Sequence, residues 1–288
     1  MKKLQTLGLS ITLGMLLSSC FSAATEDDLA GEEGYQVTFH CIEFENLPFE
    51  TRSTEISDLA TRIDLAVFDS EGTRLKNISQ ESSEESFGTI SFRLAEGRYT
   101  VVAVAHSGAK KATLTSPSKI TFDGNKLTDT FLYSQSVTVA ADKAYDLDMD
   151  RCVAMVRFII TDDVPSEVAS LKFYYTGGSS TLDATTGKGC VASRQTEYRT
   201  PDVSDSHGNT VYEIYTFPRD DSETLKLTIK ALSASDETVC EKVIDNVPVA
   251  VNEISQYTGQ FFAGASSQFN TENTFYTNDV WTTREHTF

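Results

Sequence analysis

The residues of this chain that could carry chemistry are its five cysteines, its four histidines and one run of alternating acids. Cys41, Cys152, Cys190 and Cys240 are widely spaced, and none forms a C-x-x-C pair or lies at ligand spacing from a histidine. A zinc centre needs such spacing, so none is expected. Those four thiols are either small buried hydrophobes in strands or hold one disulfide, and three pairings are open. His40, His106, His207 and His286 are scattered, and there is no G-x-S-x-G elbow, no H-E-x-x-H helix and no phosphate-cradling glycine loop. Asp146, Asp148 and Asp150 in DLDMD have the two-residue step of an EF-hand loop. Its required Gly and Glu are replaced by Arg151 and Arg157, so the acids read as the wet face of a strand. No enzyme activity, metal or cofactor is expected.

Cys20 is a separate case. Lys2 and Lys3 precede an apolar run from Leu7 to Leu17, which is followed by the small residues Ser18 and Ser19. That run is short for a membrane span, which needs about 20 apolar residues. In this order the segment resembles a bacterial lipoprotein signal, with Leu17, Ser18, Ser19 and Cys20 as the lipobox. The resemblance implies that residues 1–19 are removed and that Cys20 carries the lipid (diacylglyceryl and palmitate), holding the protein in an outer membrane. Residues 20–34 include Glu26, Asp27, Asp28, Glu32 and Glu33 with few large apolar residues, and read as an acidic tether. An acidic run in that place also resembles a surface-export signal of lipoproteins in the Bacteroidetes.

The elements behind the tether are strands. Tyr35, Val37, Phe39 and Cys41 alternate with polar residues, as do Ile63, Leu65 and Val67. Ile90, Phe92 and Leu94 lead through AEGR to Tyr99, Val101 and Ala103, a pattern that predicts a hairpin. KITF, FLYSQSVTVA, YDLDMD, CVAMVRFII, SLKFYY, VYEIYTF, LKLTIKALSA and TVCEKVI continue the series. Helix is expected only in short pieces, at EISDLATR and SEVA. Phe275, Tyr276, Val280 and Trp281 predict a closing strand. Many short strands separated by turns argue for an all-β chain of two tandem antiparallel β-sandwich domains, residues 35–150 and 151–288. With 42 acidic against 24 basic residues, a net charge of −18, nucleic acid is excluded as a partner. The stretch YYTGGSSTLDATTGKG, residues 174–189, is either a long connection or a ligand loop in which Tyr174 and Tyr175 stack on a sugar.

An ordered set of segments resembles the fimbrillin superfamily of the Bacteroidetes, in its lipoprotein branch of pilus anchor and minor subunits. These are FDSEG, LAEGRYTVVAVAH, KITF with KLTDTFLY, DMDRCVAMVRF and NVPVAVNEISQYTGQFF, followed by NDVWTTREHTF. The resemblance implies two transthyretin-like sandwiches and a place in surface fimbriae, with other fimbrial subunits, and host or bacterial surface ligands, as partners. In shaft subunits of that superfamily a protease cuts behind the first strand, and a neighbour's strand fills the vacated groove. Here that strand corresponds to Tyr35–Glu45, with Val37, Phe39 and Cys41 facing inward, and the cut to the bond between Arg52 and Ser53. A cut there would sever the body from Cys20, so clipping and permanent anchoring are incompatible uses of one molecule. The expected function is therefore a fimbrial anchor or minor subunit on the cell surface, in pilus assembly and adhesion by strand complementation. The competing class is a glycan-binding surface lipoprotein of an uptake system.

Overall fold

The computed structural model describes residues 34–41, 56–201, 209–221, 223–263, 269–277 and 280–285. The first half contains β1 (Tyr35–Cys41), β2 (Arg62–Phe68), β3 (Arg74–Glu81), β4 (Thr89–Leu94), β5 (Gly97–His106), β6 (Thr113–Ser116), β7 (Lys119–Thr121), β8 (Thr130–Val139), β9 (Lys143–Leu147) and β10 (Asp150–Arg151). The second contains β11 (Ala154–Ile160), β12 (Ser170–Thr176), β13 (Thr181–Asp183), β14 (Lys188–Gly189), β15 (Arg194–Arg199), β16 (Thr210–Thr216), β17 (Glu223–Leu232), β18 (Thr238–Val249), β19 (Glu253–Gly259), β20 (Phe269–Thr277) and β21 (Val280–Glu285). A short helix, α1 (Ile56–Leu59), lies within the expected EISDLATR, whereas SEVA is a turn. The chain is all-β.

The two halves repeat one strand order. A β4-β1-β9 sheet packs on β10-β8-β5-β2-β3 in the first, and β16-β11-β19-β20-β21 packs on β15-β12-β17-β18 in the second. In each, the first strand lies between an antiparallel and a parallel neighbour: β1 between β4 and β9, β11 between β16 and β19. The expected hairpin at AEGR is absent, because β4 pairs with β1 while β5 pairs with β2 and β8. The chain instead crosses between the sheets at Ala95 and Glu96, and the Tyr99 hydroxyl donates to the Ala95 carbonyl at 3.0 Å. Alternation around a glycine fits a hairpin and a sandwich corner equally well, so periodicity alone misassigns it.

LAVF in β2 and VVAVA in β5 are buried on both faces. Val67, Val101 and Ala103 point into the first sandwich, while Phe68, Val102 and Val104 form a separate core with Leu114, Ile120, Leu182 and Phe217. Apolar residues on both faces are what a doubly covered strand requires. The cover is a sheet shared between the halves, in which β7 pairs with β13 through Thr121↔Thr181 and Ile120↔Leu182. Within the glycine-bearing stretch 174–189, β13 and β14 supply the second half's side of this bridge. A Cβ on Gly178 would lie 2.0 Å from the Thr216 hydroxyl, and one on Gly189 would lie 2.5 Å from the Phe217 carbonyl, so the bridge closes only with glycine at both positions.

Arg151 sits where the two patterns meet and is buried. Its Nε and Nη2 donate to both carboxylate oxygens of Asp129 at 2.7 and 2.9 Å, and its Nη1 donates to Asn252 Oδ1 at 3.0 Å. The guanidinium also lies 4.8 Å from the centroid of the Phe131 ring. One side chain thus ties β8 to the turn between β18 and β19.

Candidate functional site

β1 reaches its sheet from the N-terminal side of the chain and has no turn joining it to either neighbour. Its register with β4 runs Tyr35↔Leu94 to His40↔Thr89, and with β9 Val37↔Lys143 to Cys41↔Leu147. Alternation sends Val37, Phe39 and Cys41 inward, where Val37 and Phe39 are fully buried. The Phe39 ring lies 5.5 Å from Phe92 and is stacked 5.4 Å from Tyr145, within the range of favourable aromatic pairs. Burial of Val37 and Phe39 contributes roughly 3–6 kcal/mol. The groove beneath is lined by Ile90, Leu94, Tyr145 and Leu147, which lose their cover if the strand leaves.

Polar contacts fix the strand's register. The Gln36 backbone N–H donates to Asp142 Oδ1 at 2.8 Å, the Cys41 N–H donates to the Gly88 carbonyl at 2.8 Å, and the Thr38 and Ser91 hydroxyls lie 2.9 Å apart. Gly34 admits the chain to the groove. Its φ is +140°, and a Cβ there would meet the Leu94 carbonyl oxygen at 2.4 Å. Arg93 holds the same residue by donating to the Gly34 carbonyl at 2.6 Å. Gly34→Val is expected to lower stability by about 1–3 kcal/mol, read as a reduced melting temperature. Sequence reasoning passed over Gly34 and Asp142, since neither interrupts nor extends a periodic run.

Burial pushes the Cys41 thiol up to about 12. Cys152 is raised still further, by burial and by the nearby Asp129 carboxylate. All four described cysteines are free thiols, with Cys41 and Cys152 buried, Cys240 half-buried and Cys190 exposed. At about pH 8 a thiol reagent is therefore expected to modify Cys190 in the native protein and to reach Cys41 and Cys152 only on unfolding. A raised folded value stabilises the fold below the ordinary thiol range, and that contribution is lost as pH climbs toward 12. Cys20, Arg52 and Ser53 lie outside the described residues.

Other chemistry-bearing groups are engaged structurally. His106 is buried, with Nδ1 accepting the Gly108 N–H at 3.0 Å and Nε2 placed 2.9 Å from Asp64 Oδ2. Asp64 also accepts the Ala112 N–H at 2.7 Å, so both ring nitrogens serve to pin one loop. Asp146, Asp148 and Asp150 are exposed while Leu147 and Met149 between them are buried. Among the described residues no group of His, Cys, Asp and Glu could hold a metal ion, and no helix is long and apolar enough to cross a membrane. Tyr174 and Tyr175 face opposite sides of β12. Tyr175 is buried, its hydroxyl donating to Glu197 at 2.9 Å, and cannot stack on a sugar.

A family model described as fimbrillin-A associated anchor proteins Mfa1 and Mfa2 matches residues 42–287. No curated protein matches the chain. Among solved structures, a protein from Bacteroides thetaiotaomicron described as a candidate polysaccharide-binding protein is similar in fold, with a TM-score of 0.52 at 13% identity over 88% of this chain and 98% of that one. The fimbrial anchor protein Mfa2 from Porphyromonas gingivalis is similar over 88% of this chain and 99% of its own, with a TM-score of 0.44 and 11% identity. A fimbrial assembly protein from Parabacteroides distasonis matches over 84% and 96%, with a TM-score of 0.44 and 11% identity.

Proposed function

The chain belongs to the family of fimbrillin-A associated anchor proteins, and on that premise we propose that it is a lipid-anchored fimbrial anchor or minor subunit that keeps its own first strand. Membership of that family goes with a place at the cell surface among other fimbrial subunits. The observation that carries the finer reading is the seating of β1, whose Val37 and Phe39 are fully buried between two strands distant in sequence. A strand held by that much apolar surface and by hydrogen-bonding neighbours on both sides does not leave unaided. Lipid on Cys20 holds the body to the outer membrane through the tether of residues 20–34, and retention of the Arg52 to Ser53 bond keeps the two connected.

Assembly then uses strand complementation with this molecule at the end of a series. Backbone pairing supplies affinity and alternate side chains supply fit. The function is structural and adhesive, and needs neither catalysis nor a cofactor.

Replacing Cys20 with serine tests the anchor. Two acyl chains suffice for stable membrane attachment, so the wild-type protein is expected in the detergent-soluble membrane fraction, and the Cys20→Ser protein in the aqueous fraction or the medium. Equal membrane retention of both would overturn the lipid reading.

A further inference from the structure

The equivalent sheets of the two halves end differently. In the first half, the outer side of β2, β5 and β8 is apolar and covered by the bridge between halves. In the second, the outer side of β15-β12-β17-β18 carries no such cover among the described residues. Leu171, Phe173 and Tyr175 of β12 point into the core, so Lys172 and Tyr174 point out.

Strand register sets that open face in rows. The middle row is uncharged: Thr196, Tyr174, Thr228 and Val243 are consecutive partners across the four strands, and Val243 is 50% exposed. One flanking row holds Tyr198, 53% exposed, then Lys172 and Lys230. The Lys172 ammonium lies 5.7 Å from the Tyr198 ring centroid, which fixes both side chains. The opposite row holds Arg194, Thr176 and Lys226. Rows on one face stand about 7 Å apart, and four strands span about 14 Å. Glu241 and Asp245 pair with Lys230 and Lys226 at the β18 margin, at 2.9 and 3.0 Å, and leave the cations in excess. Elsewhere the balance is opposite, since the whole chain has 42 acidic and 24 basic residues.

We propose that this sheet face binds an extended acidic polysaccharide laid across the strands, with sugar rings over Tyr174 and Val243 and its acid groups reaching Lys172 on one side and Arg194 on the other. An uncharged row with one aromatic ring and an exposed valine, between two rows that each carry a cation, suits a polymer with flat, weakly polar ring faces and charge along both margins. A neutral glycan would leave Lys172 and Arg194 unused, and an acidic peptide would leave Tyr174 without a sugar ring to stack on. The assignment rests on the strand register and is independent of the anchor reading.

Affinity electrophoresis of the purified protein through gels containing polygalacturonate, dextran or poly-glutamate tests it. Retardation is expected in polygalacturonate alone, falling as salt rises. Tyr174→Ala and Lys172→Glu are each expected to weaken it about tenfold, with melting temperatures near that of the parent. Lys172→Glu serves alone if Tyr174→Ala fails to fold. Absence of retardation by polygalacturonate, undiminished retardation of the folded variants, or equal retardation by poly-glutamate would each overturn the proposal.

Discussion

Arg151→Ala is expected to lower the free energy of unfolding by about 3 kcal/mol, read from the shift of a urea denaturation midpoint. The side chain is fully buried, donates to both oxygens of Asp129 and reaches Asn252. Truncation leaves the Asp129 carboxylate without its counter-charge in a half-buried position, and that loss dominates the cost. Adding Asp129→Asn to Arg151→Met removes the orphaned charge and is expected to recover part of the loss. Because the same residue ties β8 to the turn between β18 and β19, the single variant is also expected to raise hydrogen exchange at Asn252, whose N–H donates to the Val153 carbonyl at 2.9 Å. A variant as stable as the parent would mean that the shared sheet and its apolar core hold the halves together without this ion pair.

The second large effect is expected at Phe39. Phe39→Ala removes the ring packed between Phe92 and Tyr145 and should cost about 3–5 kcal/mol. The cost falls on one strand. Since β1 has no turn to either neighbour, its amides are expected to exchange at a lower opening free energy than those of β2 and β5. An emptied groove exposes Ile90, Leu94 and Leu147 together with the unpaired edges of β4 and β9, which is a template for another strand. Addition of a peptide with the sequence of Tyr35–Cys41 is therefore expected to restore protection in the variant. Unchanged exchange in β1 would show that the strand is held by its backbone and polar contacts alone.

Much of the fold is legible in the chain because a sandwich strand advertises its buried side. β2, β8, β11, β12, β16 and β17 all alternate or run apolar, and the sequence pattern finds them. β15 escapes, since its inward residues are Gln195 and Glu197, which satisfy Tyr175 and Arg199 inside the molecule. β3 escapes because, as an edge strand, its two apolar residues, Leu75 and Ile78, stand three apart among polar ones and show no period of two. β13 and β14 are too short to show a period, and β7, which pairs with β13, lies in the other half. The same limit applies to the site. YQVTFHC declares a strand with three inward residues, but no local pattern reveals that it lies parallel to β9, about a hundred residues on. Arg151 looked like a boundary from sequence because the strand pattern restarts there, and in the structure it is a junction held from both sides.

Whether the first strand stays with its own body is decided most directly at the N-terminus. Intact mass spectrometry of the protein from the cell surface and from sheared fimbriae is expected to find one species, an acylated chain beginning at Cys20 and continuous through Arg52. A chain beginning at Ser53 in the fimbrial fraction would contradict the account, because that molecule has lost both β1 and the lipid and must take a neighbour's strand to close its groove.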